Sequence, residues 1–510
     1  MWNAEFTAAL ANTFQYHVLL AIFLAAAYGL FIGAIPGLTA TMAVALLVPL
    51  TFFLDDLTGL AAIVSLEACC IFAGDIPAVL LRIPGTPSSA AYTDDAYVLT
   101  RQGLHQQTLG VSLAFSVVGG LLGALVLIFL APRLATMAYR FSSYEYFWLF
   151  VLGLSCAAVV SRESKLKGFI ALCIGLLLSM VGLGDAHATP RLTFGFDELI
   201  TGINFIPAMI GLFGVSEVFR NAVALGGRVE NLAEHAPSRS TVFGGIGPRL
   251  RSSWGNILRS SAIGSVIGML PGAGADIAAW ISYAVSKRMS RQPEQYGRGS
   301  LQGLADATCA NNASLAGAWI PALVLGIPGD SVTAIVIGVL LMKNIQPGPN
   351  IFQDSQQATL VYGIYITFIL ANLILIPLGY LAIRIGGAIV RIPRRMLLPV
   401  ILLFCIVGSF AINGSQFDVG IMLALGVLGY VLDRVGVPLG PVVLGIILGN
   451  PLEESFVQNL SKTANLPAME QFTAFFARPL AAVLGTLCLL LWLTPVVVTG
   501  IRALKRQGKA

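Results

Sequence analysis

Charged residues are scarce in this chain. Asp, Glu, Lys and Arg make up 11% of its 510 residues while 56% are hydrophobic, against about 25% charged in a soluble domain. That excludes an ordinary soluble protein, and no stretch is long and polar enough to fold as a separate soluble domain. A net charge of +5 is ordinary for a membrane protein with basic loops, so no nucleic-acid partner is implied. Histidine is rarer still: His17, His105, His187 and His235 fall near span ends or in loops, and no HExxH or Ser–His arrangement occurs. This argues against an intramembrane enzyme, and the lack of GxxxxGK[ST] argues against direct nucleotide drive. The seven cysteines (Cys69, Cys70, Cys156, Cys173, Cys309, Cys405, Cys488) show no metal-ligand spacing and read as small packing residues. No cofactor and no metal is expected beyond sodium as a coupling ion. The N-terminus lacks the basic region of a secretory signal, so the mature chain is expected to start near Met1.

What the chain has in abundance is apolar runs of roughly 20 residues, which in lipid must be helical because their backbone groups have no water to bond. This predicts an all-α polytopic membrane protein surrounded by lipid. Several runs are interrupted. Residues 264–283, GSVIGMLPGAGADIAAWISY, break at Pro271, Gly272 and Gly274, and residues 29–46, GLFIGAIPGLTATMAVAL, repeat Gly, Ile, Gly, Pro and Gly in the same frame. A second pair follows, IPAVLLRIPGT from Ile76 and IPALVLGIPGD from Ile320. The first pair is offset by 235 residues (Gly29 to Gly264) and the second by 244 (Ile76 to Ile320). The chain is therefore read as two related halves, 1–219 and 257–456, joined by a connector at 220–256 and followed by an extra span at 477–500. Interrupted segments at matching places in two halves point to a transporter's binding site.

The arms around Pro271, residues 257–270 and 273–286, are about 14 residues or roughly 21 Å of helix each, short of the hydrocarbon thickness. A re-entrant hairpin fits better than a kinked span. Basic loops then orient the halves. Arg162, Lys165 and Lys167 separate spans 146–160 and 168–184, whereas the matching loop 413–416 has no basic residue. Lys287, Arg288, Arg291 and Arg298 follow the second hairpin, whereas Asp55 and Asp56 follow the first. Opposite charge in matching loops predicts two inverted-topology repeats. On this path the N-terminus is external, the chain is inside by Arg101 and outside near His187, and residues 196–219 bring it inside again. Arg384, Arg391, Arg394, Arg395, Arg502, Lys505, Arg506 and Lys509 then lie inside, while Arg133 and Arg140 fall outside, against the rule.

Where a helix restarts inside a membrane, its free N–H groups and dipole can hold an anion. The candidate substrate residues are Pro36, Gly37, Leu38 and Thr39; Gly85, Thr86, Ser88 and Ser89; Gly272, Ala273, Gly274 and Ala275; and Gly329, Asp330 and Ser331. Plain N-capping by the same Ser, Thr and Asp residues needs no ligand. Carboxylates and amides at membrane depth are costly and mark function; they include Glu67 and Asp330, and Asp75, Asp276, Asp306, Asn311 and Asn312 are the candidates for a coupling sodium or proton. For the two asparagines an interhelical hydrogen-bond pair is the competing reading. Asp94 and Asp95 with Arg101 read as a solvated helix end. Arg82 reads as a substrate counter-charge, a snorkelling side chain or a partner of Asp75.

GAIPGLTATMAVALLVPLTF from Gly33, GDIPAVLLRIPGTPSSAAYTDDAYVLTRQG from Gly74 and GMLPGAGADIAAWISY from Gly268 resemble the TctA family, the large membrane subunit of the tripartite tricarboxylate transporters. The resemblance covers nearly the whole chain. It implies a bacterial inner-membrane, multi-pass permease working with a small four-helix membrane subunit (TctB-like) and a periplasmic solute-binding protein (TctC-like). A sodium or proton gradient would drive import of an organic carboxylate. By position, Pro36-Gly37, Pro84-Gly85-Thr86-Pro87, Pro271-Gly272-Ala273-Gly274 and Pro328-Gly329 would line the substrate path. A passive anion channel, or a carrier without a binding protein, is the alternative.

Overall fold

The structure is a computed structural model that describes residues 2–160, 164–184, 187–224, 241–390, 392 and 394–492. Arg162, His235, Arg391, Arg502, Lys505, Arg506 and Lys509, residues 225–240 of the expected connector and 493–500 of the expected last span lie outside these. Among the described residues seven helices are long and apolar enough to cross a membrane: Tyr16–Gly33, Asp56–Leu81, His105–Ala138, Phe205–Val223, Ser355–Ile389, Arg395–Asn413 and Gln416–Arg434. The chain is an α-helical polytopic membrane protein.

Both interrupted segments of the first pair fold as helix–turn–helix. The first hairpin joins Tyr16–Gly33 to Ala40–Thr51, and the second joins Trp254–Gly268 to Gly274–Met289. Three of the four arms hold 12 to 16 residues, or roughly 18–24 Å, too short to span. The turns need glycine because Gly37 (φ 88°), Gly272 (φ 77°) and Gly274 (φ 59°) are left-handed.

Behind each hairpin lies a central helix buried almost throughout. Asp56–Ala73 continues into Asp75–Leu81, and its counterpart is Leu301–Leu325. Protein on all sides explains how the second tolerates its polar run. Each stops in the same way, at a left-handed residue, Arg82 (φ 58°) or Gly326 (φ 68°). The N–H groups of Arg82 and Ile83 turn back to Pro77 O, and those of Gly326 and Ile327 to Pro321 O. Ile-Pro-Gly then leads the chain away.

The hairpins meet the central helices backbone to backbone, through paired glycines. A Cβ on Gly29 or Gly33 would lie 2.4 or 2.3 Å from Leu66 O or Cys70 O; one on Gly264 or Gly268 would lie 2.3 or 2.2 Å from Ala310 O or Ser314 O. The contacted carbonyls are again 244 residues apart, so the repeat seen in sequence is a repeat in packing. Small residues four apart are how membrane helices approach closely. Gly264→Leu is therefore expected to overpack the second seam, cost about 1–3 kcal/mol or more and lower the yield of monodisperse protein on size-exclusion chromatography. A wild-type profile would show that the seam can open.

Contacts divide the chain into two compact units, each drawn from both halves: Met1–Thr136 with Ile206–Val431, and Met137–Phe205 with Leu432–Ala510. All candidate site residues lie in the first. In the second, Ser143–Val160 and Lys165–Ser179 pack on Leu439–Lys462, with Gly175 against Val442 O. This unit departs from the sequence reading in two places. Residues 182–191, read partly as span, form a small antiparallel ribbon, Gly182–Gly184 with His187–Arg191, clamped where Arg191 makes a two-pronged bond to Glu453 (2.8 and 2.9 Å). Asp197–Thr201 is a 3-10 turn, and only after Gly202 does the helix expected from residue 196 begin. Two acidic residues and a left-handed glycine (φ 87°) explain the delay. The last helix, Pro479–Trp492 as far as described, bends 97° from Ala468–Ala474.

Candidate functional site

The candidate substrate residues lie at four Pro-Gly corners of the first unit. In the second half two of them touch. Gly272 N–H donates to Gly329 O at 2.9 Å, and a Cβ on Gly329 would lie 2.4 Å from Gly268 O. Beside this junction Asp330 caps Ser331–Met342, its Oδ1 accepting Thr333 N–H (2.8 Å) while Thr333 Oγ1 accepts Asp330 N–H (3.0 Å). Asp330 thus does the capping job open to it from sequence. Ala273 precedes the helix that starts at Gly274, with Ala275 and Asp276 in its first turn.

The corner at residues 83–88 docks on the second half. Gly85 N–H bonds Gly74 O (3.2 Å), and Trp280 Nε1–H donates to Pro87 O (3.2 Å). Asn311 Nδ2 donates to Ser88 Oγ (3.0 Å). The hydroxyls also serve the turn itself: Thr86 Oγ1 and Ser88 Oγ lie 2.8 Å apart, Ser89 Oγ donates to Thr86 O (2.8 Å), and Ser89 N–H donates to Thr86 Oγ1 (3.3 Å). All three side chains are buried.

The corner at Pro36 is held differently. Gly37 O accepts from Asn221 Nδ2 (2.8 Å), on helix Ser216–Ala224, and Thr39 Oγ1 caps its helix by accepting Met42 N–H (3.2 Å). Leu38 is buried. Helix Ala40–Thr51 packs on Ser331–Met342, and Gly274–Met289 packs on the 3-10 turn Ser89–Ala91, so the hairpin of each half lies along the broken segment of the other.

Besides Asp276, the ion candidates fall into two groups. Asp75 is buried and accepts from Tyr92 OH and Ser112 OH. Asp306 is saturated by Arg259 (2.7 Å), Ser286 (2.6 Å) and Gln302 (2.6 Å). Asn311 and Asn312, at the middle of the central helix, differ: Asn311 Oδ1 and both polar atoms of Asn312 are buried without a hydrogen-bond partner. A buried orphan amide costs about 1–3 kcal/mol, which a bound ion or polar ligand would offset.

Two sequence readings change. Asp95 is not solvated: it is fully buried, its Oδ1 accepting the N–H groups of Gly297, Gly299 and Ser300 (2.8, 2.7 and 2.8 Å) and its Oδ2 accepting Tyr283 OH (2.6 Å). Arg82 pairs with Asp94 (2.8 Å), not with Asp75, and lies 5.8 Å from the Tyr97 ring centre. Sequence reasoning also missed Asn221 and Trp280, whose roles come only from long-range contacts. A cavity lined by Glu5, Phe352, Tyr362 and Tyr365 shares no residue with the corners.

A family model described as "Tripartite tricarboxylate transporter TctA family" matches residues 19–444. A protein of Agrobacterium vitis, described as "Uncharacterized 52.8 kDa protein in TAR-I ttuC' 3'region", is 34% identical over 472 residues, 92% of this chain and 92% of that protein. A second from Agrobacterium vitis, "Uncharacterized protein in TAR-II ttuC' 3'region", is 37% identical over 237 residues, 46% of this chain and 95% of that protein. No solved structure gives a significant match.

Proposed function

This chain belongs to the tripartite tricarboxylate transporter TctA family, and from that membership we propose that it is the large permease subunit of a binding-protein-dependent secondary transporter. It imports a small organic carboxylate across the bacterial inner membrane, driven by a sodium or proton gradient. A small membrane subunit and a periplasmic binding protein complete the system. The two halves lie in opposite orientation, and the Pro-Gly corners form the substrate path.

The observation that carries this reading is the Gly272–Gly329 bond, which fixes two broken-backbone corners together beside a helix start. Backbone N–H groups at such starts bind carboxylates without a cation of their own. The orphaned polar atoms of Asn311 and Asn312 support a bound ion or solute nearby. The test is uptake by the reconstituted protein with its two partners, scanned over di- and tricarboxylates under imposed sodium or proton gradients. Uphill, gradient-dependent and binding-protein-dependent uptake is expected. Purely downhill flux would make it a channel, and uptake without the binding protein would remove the tripartite reading.

A further inference from the structure

Glu67 stands near the middle of the central helix of the first half and is 1% exposed. Its Oε2 accepts the indole N–H of Trp319 at 3.2 Å, and its Oε1 has no partner. Trp319 is itself fully buried and packs edge-on against Phe368, and its indole N–H is the one hydrogen-bond donor to Glu67 among the described residues. Glu67 forms no ion pair among the described residues.

The titratable groups around it are few. Asp330, at the start of helix Ser331–Met342, and Cys70, one turn further along Glu67's own helix, bear on it electrostatically. Tyr28, from helix Tyr16–Gly33, bears on Cys70, and helix Ser355–Ile389, which also packs on the Glu67 helix, carries Tyr365. The single carboxylate of the facing central helix, Asp306, pairs with Arg259. An ionised carboxylate with no cation and an open oxygen in such a place is costly. A proton on Oε1 removes the charge and leaves the Trp319 bond intact.

We propose that Glu67 is a proton-binding site of this transporter, and that the ion moving with the solute is a proton carried on Glu67 Oε1. This deepens the transport reading and rests on it. Asp330, which bears on Glu67 electrostatically, caps the helix beside the Gly272–Gly329 junction. Loading takes one proton and turns the carboxylate into a neutral acid; unloading returns that proton from the same oxygen and restores one negative charge. The charge on Glu67 thereby acts on the corner that the solute reads.

Trp319 supplies a readout independent of transport. The full-length protein in nanodiscs is titrated with acid and base while intrinsic emission is followed, and Trp319→Phe identifies the part due to Trp319. The expected result is a single pH-dependent step in that part, lost in Glu67→Gln. Glu67→Asp keeps a step with a displaced midpoint, which preserves the test should the glutamine variant fail to fold. In vesicles Glu67→Gln loses accumulation driven by a pH gradient. An unchanged emission step in Glu67→Gln, a Trp319 signal that follows sodium rather than pH, or wild-type proton-driven accumulation in Glu67→Gln would overturn the proposal. Vesicles that move no carboxylate would fault the transport reading, and the emission titration would still decide the role of Glu67.

Discussion

Gly329→Ala is expected to abolish carboxylate uptake while leaving the chain inserted in the membrane. The new methyl would lie 2.4 Å from Gly268 O and 2.8 Å from the Ala318 backbone. Neither neighbour is a side chain that can swing away. The corner must move, and the hydrogen bond that Gly329 O receives from Gly272 moves with it. Gly272→Val attacks the same junction from the other side, because a β-branched residue at φ 77° costs about 1–3 kcal/mol in backbone strain alone. A displacement of about 1 Å at a binding centre is enough for roughly a hundredfold loss of rate. The measurement is initial uptake per amount of inserted protein, with size-exclusion profiles as the folding control. Normal uptake in either variant would remove the second hairpin tip from the substrate path.

Asp95→Ala is expected to be the most damaging change outside the corners. Three backbone N–H groups and the Tyr283 hydroxyl would lose one shared acceptor. Charge-assisted bonds are each stronger than neutral ones, so the expected cost is about 3 kcal/mol or more. The loop that Asp95 holds, around Gly297 and Gly299, links the second hairpin to its central helix, so loosening it frees both. A fall in apparent melting temperature in detergent is expected, with Asp95→Asn less severe because it keeps one acceptor oxygen. Equal stability of all three proteins would mean that water replaces the carboxylate without loss.

The repeat was legible in the sequence because it rests on residues that backbone geometry demands. Gly37 and Gly272 sit where φ is positive, and Gly29, Gly33, Gly264 and Gly268 sit where a carbonyl comes too near for any side chain. Such positions restrict residue type, so they survive as a pattern. The helix stops at Arg82 and Gly326 were half legible, since Ile-Pro-Gly marks both while Arg gives no sign of a left-handed conformation. What the sequence could not show is which polar side chain meets which corner. Asn221 reaches Gly37 O, and Asp95 reaches Gly297, across roughly two hundred residues of chain, and no periodicity records that pairing. Asp95 looked exposed because its own helix is polar, and its burial comes from a loop of the other half. The ribbon at residues 182–191 was hidden for a related reason: Gly-Leu-Gly ends an apolar run either way, and the Arg191–Glu453 clamp lies far away in sequence.

The paired helix stops carry one more consequence. They are twins in trace but not in electrical character: one bears a guanidinium with its own acid companion, Asp94, and the other bears a single hydrogen in place of any side chain. A probe that senses only shape would treat them alike, whereas a multiply charged one would not. A multivalent ion would therefore meet a different electrostatic field at each of two backbone ends that share one shape.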